Sequence, residues 1–127
     1  MAKAYFINAT PTNVKATLNG GDQHKLAPIS VGSGGAAVTG TAWGAAISAN
    51  VSPDGFGGDG KENELLFSSE QSGKTRKYTI TSRVSTVLDL YFFMFEDSIV
   101  GEDQTGSSAN ITITKLPTLS TSLFDTE

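Results

Sequence analysis

Residues 75–84 read TRKYTITSRV, and together with VLDLYFFMF at residues 87–95 they decide the fold class. In the first stretch, the apolar side chains of Tyr78 and Ile80 alternate with polar ones. A period of two is typical of a strand with one buried face. The second stretch is apolar on both faces except at Asp89, a pattern typical of a central strand that is covered on both sides. Both stretches therefore predict a β-protein.

Further short apolar runs lie between Gly, Asn, Asp and Ser clusters, which are turn signals. Strands are predicted at residues 4–8, 13–18, 25–31, 64–68, 75–84, 87–95 with a continuation at 99–100, and 109–116. We expect residues 75–84 to pair antiparallel with 87–95, and residues 87–100 with 109–116. The spacing predicts an all-β fold, a two-sheet antiparallel β-sandwich of jelly-roll or Greek-key topology with about seven to nine strands. Residues 1–117 form the single domain, and residues 118–127 form a C-terminal tail.

The segment at residues 36–51 is ambiguous because it is rich in Ala and Gly around Trp43. A strand is favoured, and a short helix at residues 42–49 is the alternative, although Gly40 and Gly44 weaken a helix. Pro28 within residues 25–31 predicts an edge position or a bulge, because proline cannot donate to a strand ladder. Residues 53–63 are predicted to be a loop.

The chain has 127 residues, a net charge of −4 at pH 7 and no cysteine. This length fits one domain with a core that needs neither disulfides nor a structural metal. An acidic chain without a basic stripe argues against nucleic acid and against docking to anionic membranes. The N-terminus does not read as a signal peptide, and no apolar run is long enough to span a membrane. We therefore expect a soluble protein, either cytoplasmic or exported by a leaderless route.

Catalytic constellations are sparse. The single histidine, His24, follows a turn, and a Ser–His–Asp triad would need it buried beside a serine and an acid. Asp89 is the only acid within a strongly apolar run, and a lone acid with a hydrogen-bond partner explains it better than a paired-carboxylate hydrolase does. We therefore predict that the protein is not an enzyme.

Two acidic loops are candidate calcium sites, because Ca²⁺ takes six to eight oxygen ligands from flexible loops. Their candidate ligands are Asp54, Asp59 and Glu62 in the first loop and Asp97, Glu102 and Asp103 in the second. Carboxylates this close repel each other unless water screens them or a cation bridges them. The alternative is that both loops are solvated hairpins. The second loop is similar, over about fifteen residues, to calcium loops of small bacterial sugar-binding sandwiches, without their dense Asp/Asn pattern.

An aromatic side chain flanked by small residues can stack on a sugar ring, and Trp43 has such neighbours. The alternative is that Trp43 fills space in the core. With Asn110 and Asp103 it forms the predicted ligand site. The resulting function is a non-enzymatic, lectin-like binding module for a neutral glycan. A self-assembling homo-oligomer (shell, fibre or inclusion component) and a pore-forming or membrane-inserting β-protein are the alternatives.

Overall fold

The structure is a computed structural model that describes residues 2–31, 38–39, 42–83 and 87–117. These residues are all-β and form twelve strands: β1 (Lys3–Asn8), β2 (Val14–Leu18), β3 (His24–Leu26), β4 (Ser30–Val31), β5 (Val38–Thr39), β6 (Ala42–Ser48), β7 (Phe56–Gly57), β8 (Glu62–Ser69), β9 (Thr75–Ser82), β10 (Leu90–Met94), β11 (Ile99–Asp103) and β12 (Ile111–Leu116). The number exceeds the prediction because three strands have two residues each. The predicted C-terminal tail lies outside the described residues.

Ten of the strands form two five-stranded sheets. Sheet A has the order β11-β10-β1-β6-β7 and sheet B the order β12-β9-β8-β2-β3, while β4 pairs with β5. Sheet B is antiparallel throughout, as predicted. Sheet A is mixed, because β1 runs parallel to β10 and β6 runs parallel to β7. The prediction of purely antiparallel pairing is therefore wrong for sheet A.

Both predicted strand pairings are also wrong. β9 pairs with β8 and β12 in sheet B, whereas β10 pairs with β1 and β11 in sheet A. The chain thus changes sheets between residues 83 and 89 instead of turning back on itself. Two apolar runs joined by a short connection can form a hairpin or cross between sheets, and the period-two pattern is the same in both cases.

Buried residues of both sheets belong to one hydrophobic cluster. At its centre the ring of Phe92 lies 5.2 Å from that of Phe6 and 5.6 Å from that of Phe56. The predicted core residues Ile80, Leu90 and Phe92 are buried. Ile113 is only half-buried, because β12 is the edge strand of sheet B. Burying each of the large apolar side chains Ile80, Leu90 and Phe92 stabilises the fold by about 1.5–3 kcal/mol.

Segments of uncertain structure are resolved in part. The helix alternative is wrong for Ala42–Ser48, which is a strand hydrogen-bonded to β1. Residues 53–63 contain the short strand β7 as well as the start of β8, so the loop is shorter than predicted. The single strand predicted at residues 25–31 is wrong, because Pro28 lies outside any strand, in the break between β3 and β4. In the described part of the chain no helix is long and apolar enough to cross a membrane.

Candidate functional site

Three half-exposed side chains from separate elements contact one another: His24 of β3, Trp43 of β6 and Asp54 of the loop after β6. We refer to them as the His–Trp–Asp cluster. The imidazole of His24 stacks on the indole of Trp43 with ring centroids 3.8 Å apart and planes 16° from parallel. His24 Nε2 lies 2.7 Å from Oδ1 of Asp54. The exposed fractions of the His24 and Asp54 side chains are 27% and 34%. The cluster is therefore ordered by contacts yet accessible to solvent.

The β2–β3 hairpin places His24 in the cluster. Its turn begins at Asn19, which has a φ of 52°, a left-handed conformation that asparagine tolerates better than most residues. β3 then pairs with β2 so that His24 lies opposite Ala16. Because β3 is an edge strand, the His24 side chain can reach the neighbouring loop.

The loop after β6 places Asp54 beside that hairpin. Asp54 has a φ of 65°, and its amide donates to the carbonyl of Leu18 over 3.0 Å. Gly21 allows this close approach, because a Cβ at that position would lie 2.4 Å from the Asp54 nitrogen. Any other residue at position 21 would force the loop or the hairpin to shift at this contact.

Two asparagine side chains, the half-buried Asn19 and the buried Asn63, hold the rest of this loop. The Asn63 side chain accepts from the Gly57 amide and donates to the Gly57 carbonyl, each over 2.8 Å. Asn19 donates to the Gly55 carbonyl and to Asn63 Oδ1 over 2.8 and 2.9 Å. Asn63 is fully buried. Since unpaired buried polar groups are costly, this network fixes the loop that carries Asp54.

The chemistry of the cluster follows from its donors and acceptors. A carboxylate only accepts hydrogen bonds, so the Nε2–H of His24 donates to Asp54. Trp43 also packs against Phe6, with ring centroids 5.1 Å apart, and is half-buried against the core. The cluster thus offers carboxylate oxygens and aromatic ring edges at one half-exposed position, while the indole itself is stacked on His24 and packed against Phe6.

The predicted metal ligand Asp97 lies elsewhere, in an ion-pair network. Its Oδ1 accepts from Nε and Nη2 of Arg76 over 3.1 and 3.0 Å, and Lys115 Nζ lies 3.6 Å away. The hydrogen bonds and charge of Arg76, supported by Lys115, lower the pKa of Asp97. Cationic side chains of the protein itself therefore balance this carboxylate.

Asp103 lies at the other end of β11 from Asp97. It is buried and accepts hydrogen bonds from the amide and hydroxyl of Thr105 and from the amide of Ser107. The Thr105 hydroxyl is the main cause of a lowered pKa for Asp103. Glu102 faces the opposite side of the strand, because successive strand residues alternate. The two adjacent acids are therefore separated by the sheet.

The remaining predicted residues are exposed. Asp59 has a φ of 54° in the turn before β8, and Glu62 opens β8 opposite Thr81, at the end of β9 away from Arg76 and Asp97. Asn110 lies in the turn before β12. In the described ranges no group of three or more His, Cys, Asp or Glu side chains is placed to hold a metal ion.

Of the predicted residues, the structure thus brings together Trp43 and Asp54, through a histidine that the sequence did not single out as a ligand. His24 carried one signal, its place just after a predicted hairpin turn. Its contact with Asp54 spans 30 residues, and no local pattern encodes it. Asp89, treated as a lone acid, is half-buried and accepts a 2.8 Å hydrogen bond from the Lys3 amide.

Comparison with known proteins adds no analogy. No protein-family model matches the chain, and neither a curated protein nor a solved structure matches it. Function is therefore inferred from the residues and geometry described above.

Proposed function

We propose that this protein is a non-enzymatic, lectin-like binding module for neutral glycans and that the His–Trp–Asp cluster is its ligand site. The observation that carries the proposal is the 2.7 Å contact between His24 and Asp54 beside an indole. Sugars present hydroxyl groups together with apolar C–H faces. The fixed carboxylate and imidazole can pair with the hydroxyl groups, and the aromatic ring edges left free by the stacking can contact the C–H faces.

The order of the cluster also supports binding. Asp54 is held by its own amide and by the asparagine network around Asn63, so little conformational entropy remains to be lost when a ligand binds. Half-exposure leaves room for a small ligand group to reach Asp54. Such a site predicts weak binding of one or two sugar residues rather than enclosure of a long chain.

The proposal includes finer statements on fold and ligands. Sheets A and B are taken as the two layers of a β-sandwich of jelly-roll or Greek-key type, since their buried residues share one cluster. Nucleic acid and membrane are not proposed partners.

Binding of Ca²⁺, and ligand roles for Asn110 and Asp103, stay predictions. A thermal melt with and without millimolar Ca²⁺ tests the metal, because a ligand specific for the folded state raises the melting temperature.

The experiment for the proposed site is a glycan array probed with the wild type and two variants. Asp54→Asn keeps a residue that tolerates positive φ but removes the charge, and His24→Phe keeps a ring on Trp43 but removes the nitrogen. Glu64→Gln is the matched control, since it removes an exposed carboxylate that lies outside the cluster and outside both candidate calcium loops. We expect a common set of neutral glycans to bind the wild type and the control and to be lost from both cluster variants. An array without binding would reject the function, and binding unaffected by both variants would reject the site.

A further inference from the structure

The outer face of sheet A carries a patch of aromatic and aliphatic side chains on the side opposite to Trp43. We call this patch the outer aromatic face; it comprises Tyr5, Ile7, Tyr91, Phe93, Phe95 and Val100. Strand register places Val100, Phe93 and Ile7 in one row across β11, β10 and β1. Val100 and Phe95 expose 50% and 41% of their surface. Large contiguous apolar patches of this kind mark interaction sites.

The centre of this face is a pair of stacked tyrosines. Tyr5 and Tyr91 lie opposite each other on β1 and β10, with ring centroids 5.5 Å apart and planes 14° from parallel. The Tyr5 ring lies over Gly44, where a Cβ would come within 2.9 Å of it. Gly44 therefore lets the ring lie close to the sheet, and the surface is flatter as a result.

The sequence of β10 indicates that this face has a cover. Strands apolar on both faces are typical of sheets that are covered on both sides. In the described residues the inner face of β10 is buried, whereas Tyr91 and Phe93 on the outer face are half-buried and Phe95 is exposed. The prediction that β10 is doubly covered is therefore wrong for the single chain as described. A partner that covers the outer face would restore the agreement with the pattern.

We propose that the partner is a second copy of this chain, docked face to face through the outer aromatic face. Charge complementarity carries the choice of partner. Lys3 lies beside Tyr5 on this face, and Glu102 flanks Tyr91 on the neighbouring strand. A two-fold axis that lies in the interface, passes between Tyr5 and Tyr91 and runs diagonally across the strands brings Lys3 of each copy opposite Glu102 of the other. The contact is then self-complementary, as a two-fold interface must be.

The size of the face predicts a weak dimer. The three strands that carry the patch, β11, β10 and β1, are spaced about 4.8 Å apart and are about 17 Å long, which gives a footprint of about 250 Å² per copy. Stable protein complexes commonly bury about 800 Å² of accessible surface per partner, and smaller interfaces are transient. The dimer is therefore expected to dissociate on dilution. This inference does not depend on the glycan site, which uses other residues.

Sedimentation over a wide concentration range tests whether the outer aromatic face is the contact. The wild type is expected to shift from monomer to dimer as concentration rises, and Val100→Asp to remain monomeric. Leu66→Asp is the matched control, because Leu66 is 40% exposed on sheet B, and it should dimerise like the wild type. A wild type that stays monomeric, or a dimer that survives Val100→Asp, overturns the proposal. The proposal is also overturned if the protein stays monomeric and Val100→Asp abolishes glycan binding, because the outer aromatic face would then bind a sugar and not a second copy of the chain.

Charge reversal tests the geometry of the contact. Lys3→Glu and Glu102→Lys each place like charges opposite each other and should weaken association by roughly tenfold or more. The double variant Lys3→Glu/Glu102→Lys restores opposite charges and should recover the dimer. Circular dichroism and a thermal melt establish that each variant is folded. Failure of the folded double variant to recover association contradicts the pairing of Lys3 with Glu102.

Discussion

The Nε2 atom of His24 lies 2.7 Å from Oδ1 of Asp54, and this contact joins the β2–β3 hairpin to the loop after β6. The two residues are 30 positions apart in the sequence. Stacking on Trp43 fixes the plane of the imidazole at the same time. One contact thus links the two sheets at their margin and creates the proposed ligand site.

This contact should stabilise the protein as well as bind ligand. Replacing Asp54 with Asn weakens the hydrogen bond to His24 and is expected to cost about 0.5–1 kcal/mol, since the pair is half-exposed. Glu64→Gln should change the free energy of unfolding by less than about 0.5 kcal/mol, as exposed substitutions do. Urea denaturation of the two variants provides the comparison. Equal effects would show that the cluster does not contribute to stability.

The core around Phe92 has a large expected effect. Phe92→Ala removes a fully buried ring in contact with Phe6 and Phe56, and should cost about 3–5 kcal/mol. Phe95→Ala removes the same side chain at a position that is 41% exposed, and should cost much less. Denaturant unfolding of both variants tests this. Similar losses would mean that Phe92 is not at the centre of the core.

Acid sensitivity is expected from Asp97. Arg76 lowers the pKa of Asp97 through its hydrogen bonds and its charge. A carboxyl whose folded pKa lies below the unfolded one contributes stability above the unfolded value of about 4, and this is lost as the pH falls through the folded pKa. Asp97→Asn should therefore flatten the fall in melting temperature on acidification. Parallel profiles for the wild type and the variant would contradict this role.

Alkaline sensitivity is expected from Tyr78. Its hydroxyl is buried and has no hydrogen-bond partner in the part of the chain described, and burial raises its pKa. Stability from this group is present below the unfolded pKa of about 10 and is lost as the pH rises towards the folded value. Tyr78→Phe should leave stability at neutral pH unchanged or higher and reduce the alkaline loss. A clear loss at neutral pH would reveal a hydrogen bond to the hydroxyl.

The sequence predicts some of these features and not others, for physical reasons. Alternation around Ile80 predicts a strand, because side-chain direction is local. The same alternation does not say which strand is the neighbour, so the crossing between β9 and β10 is not predicted. For the site, the residue types of Trp43 and Asp54 indicate binding chemistry. Their meeting at His24 depends on hairpin and loop packing, which single-residue patterns do not encode.

The partners of the acidic side chains could not be predicted from the local sequence either. Acidic density in the second loop predicts repulsion that a cation would relieve. In the structure, Arg76 and Lys115 form ion pairs with Asp97, and Asp103 accepts hydrogen bonds from nearby backbone amides. Arg76 lies on a strand 21 residues before Asp97, so counting charges within the loop misses it.

Titration of glycan into the protein, followed by tryptophan fluorescence, tests the central claim most directly. Trp43 is the only tryptophan in the chain and belongs to the proposed site, so its emission reports on that site alone. Neutral glycans that bind on the array should produce a saturable change in the wild type and in Glu64→Gln, and none in Asp54→Asn. Glycan binding that leaves Trp43 emission unchanged and survives Asp54→Asn would contradict the proposed site, and the absence of any glycan binding would contradict the proposed function.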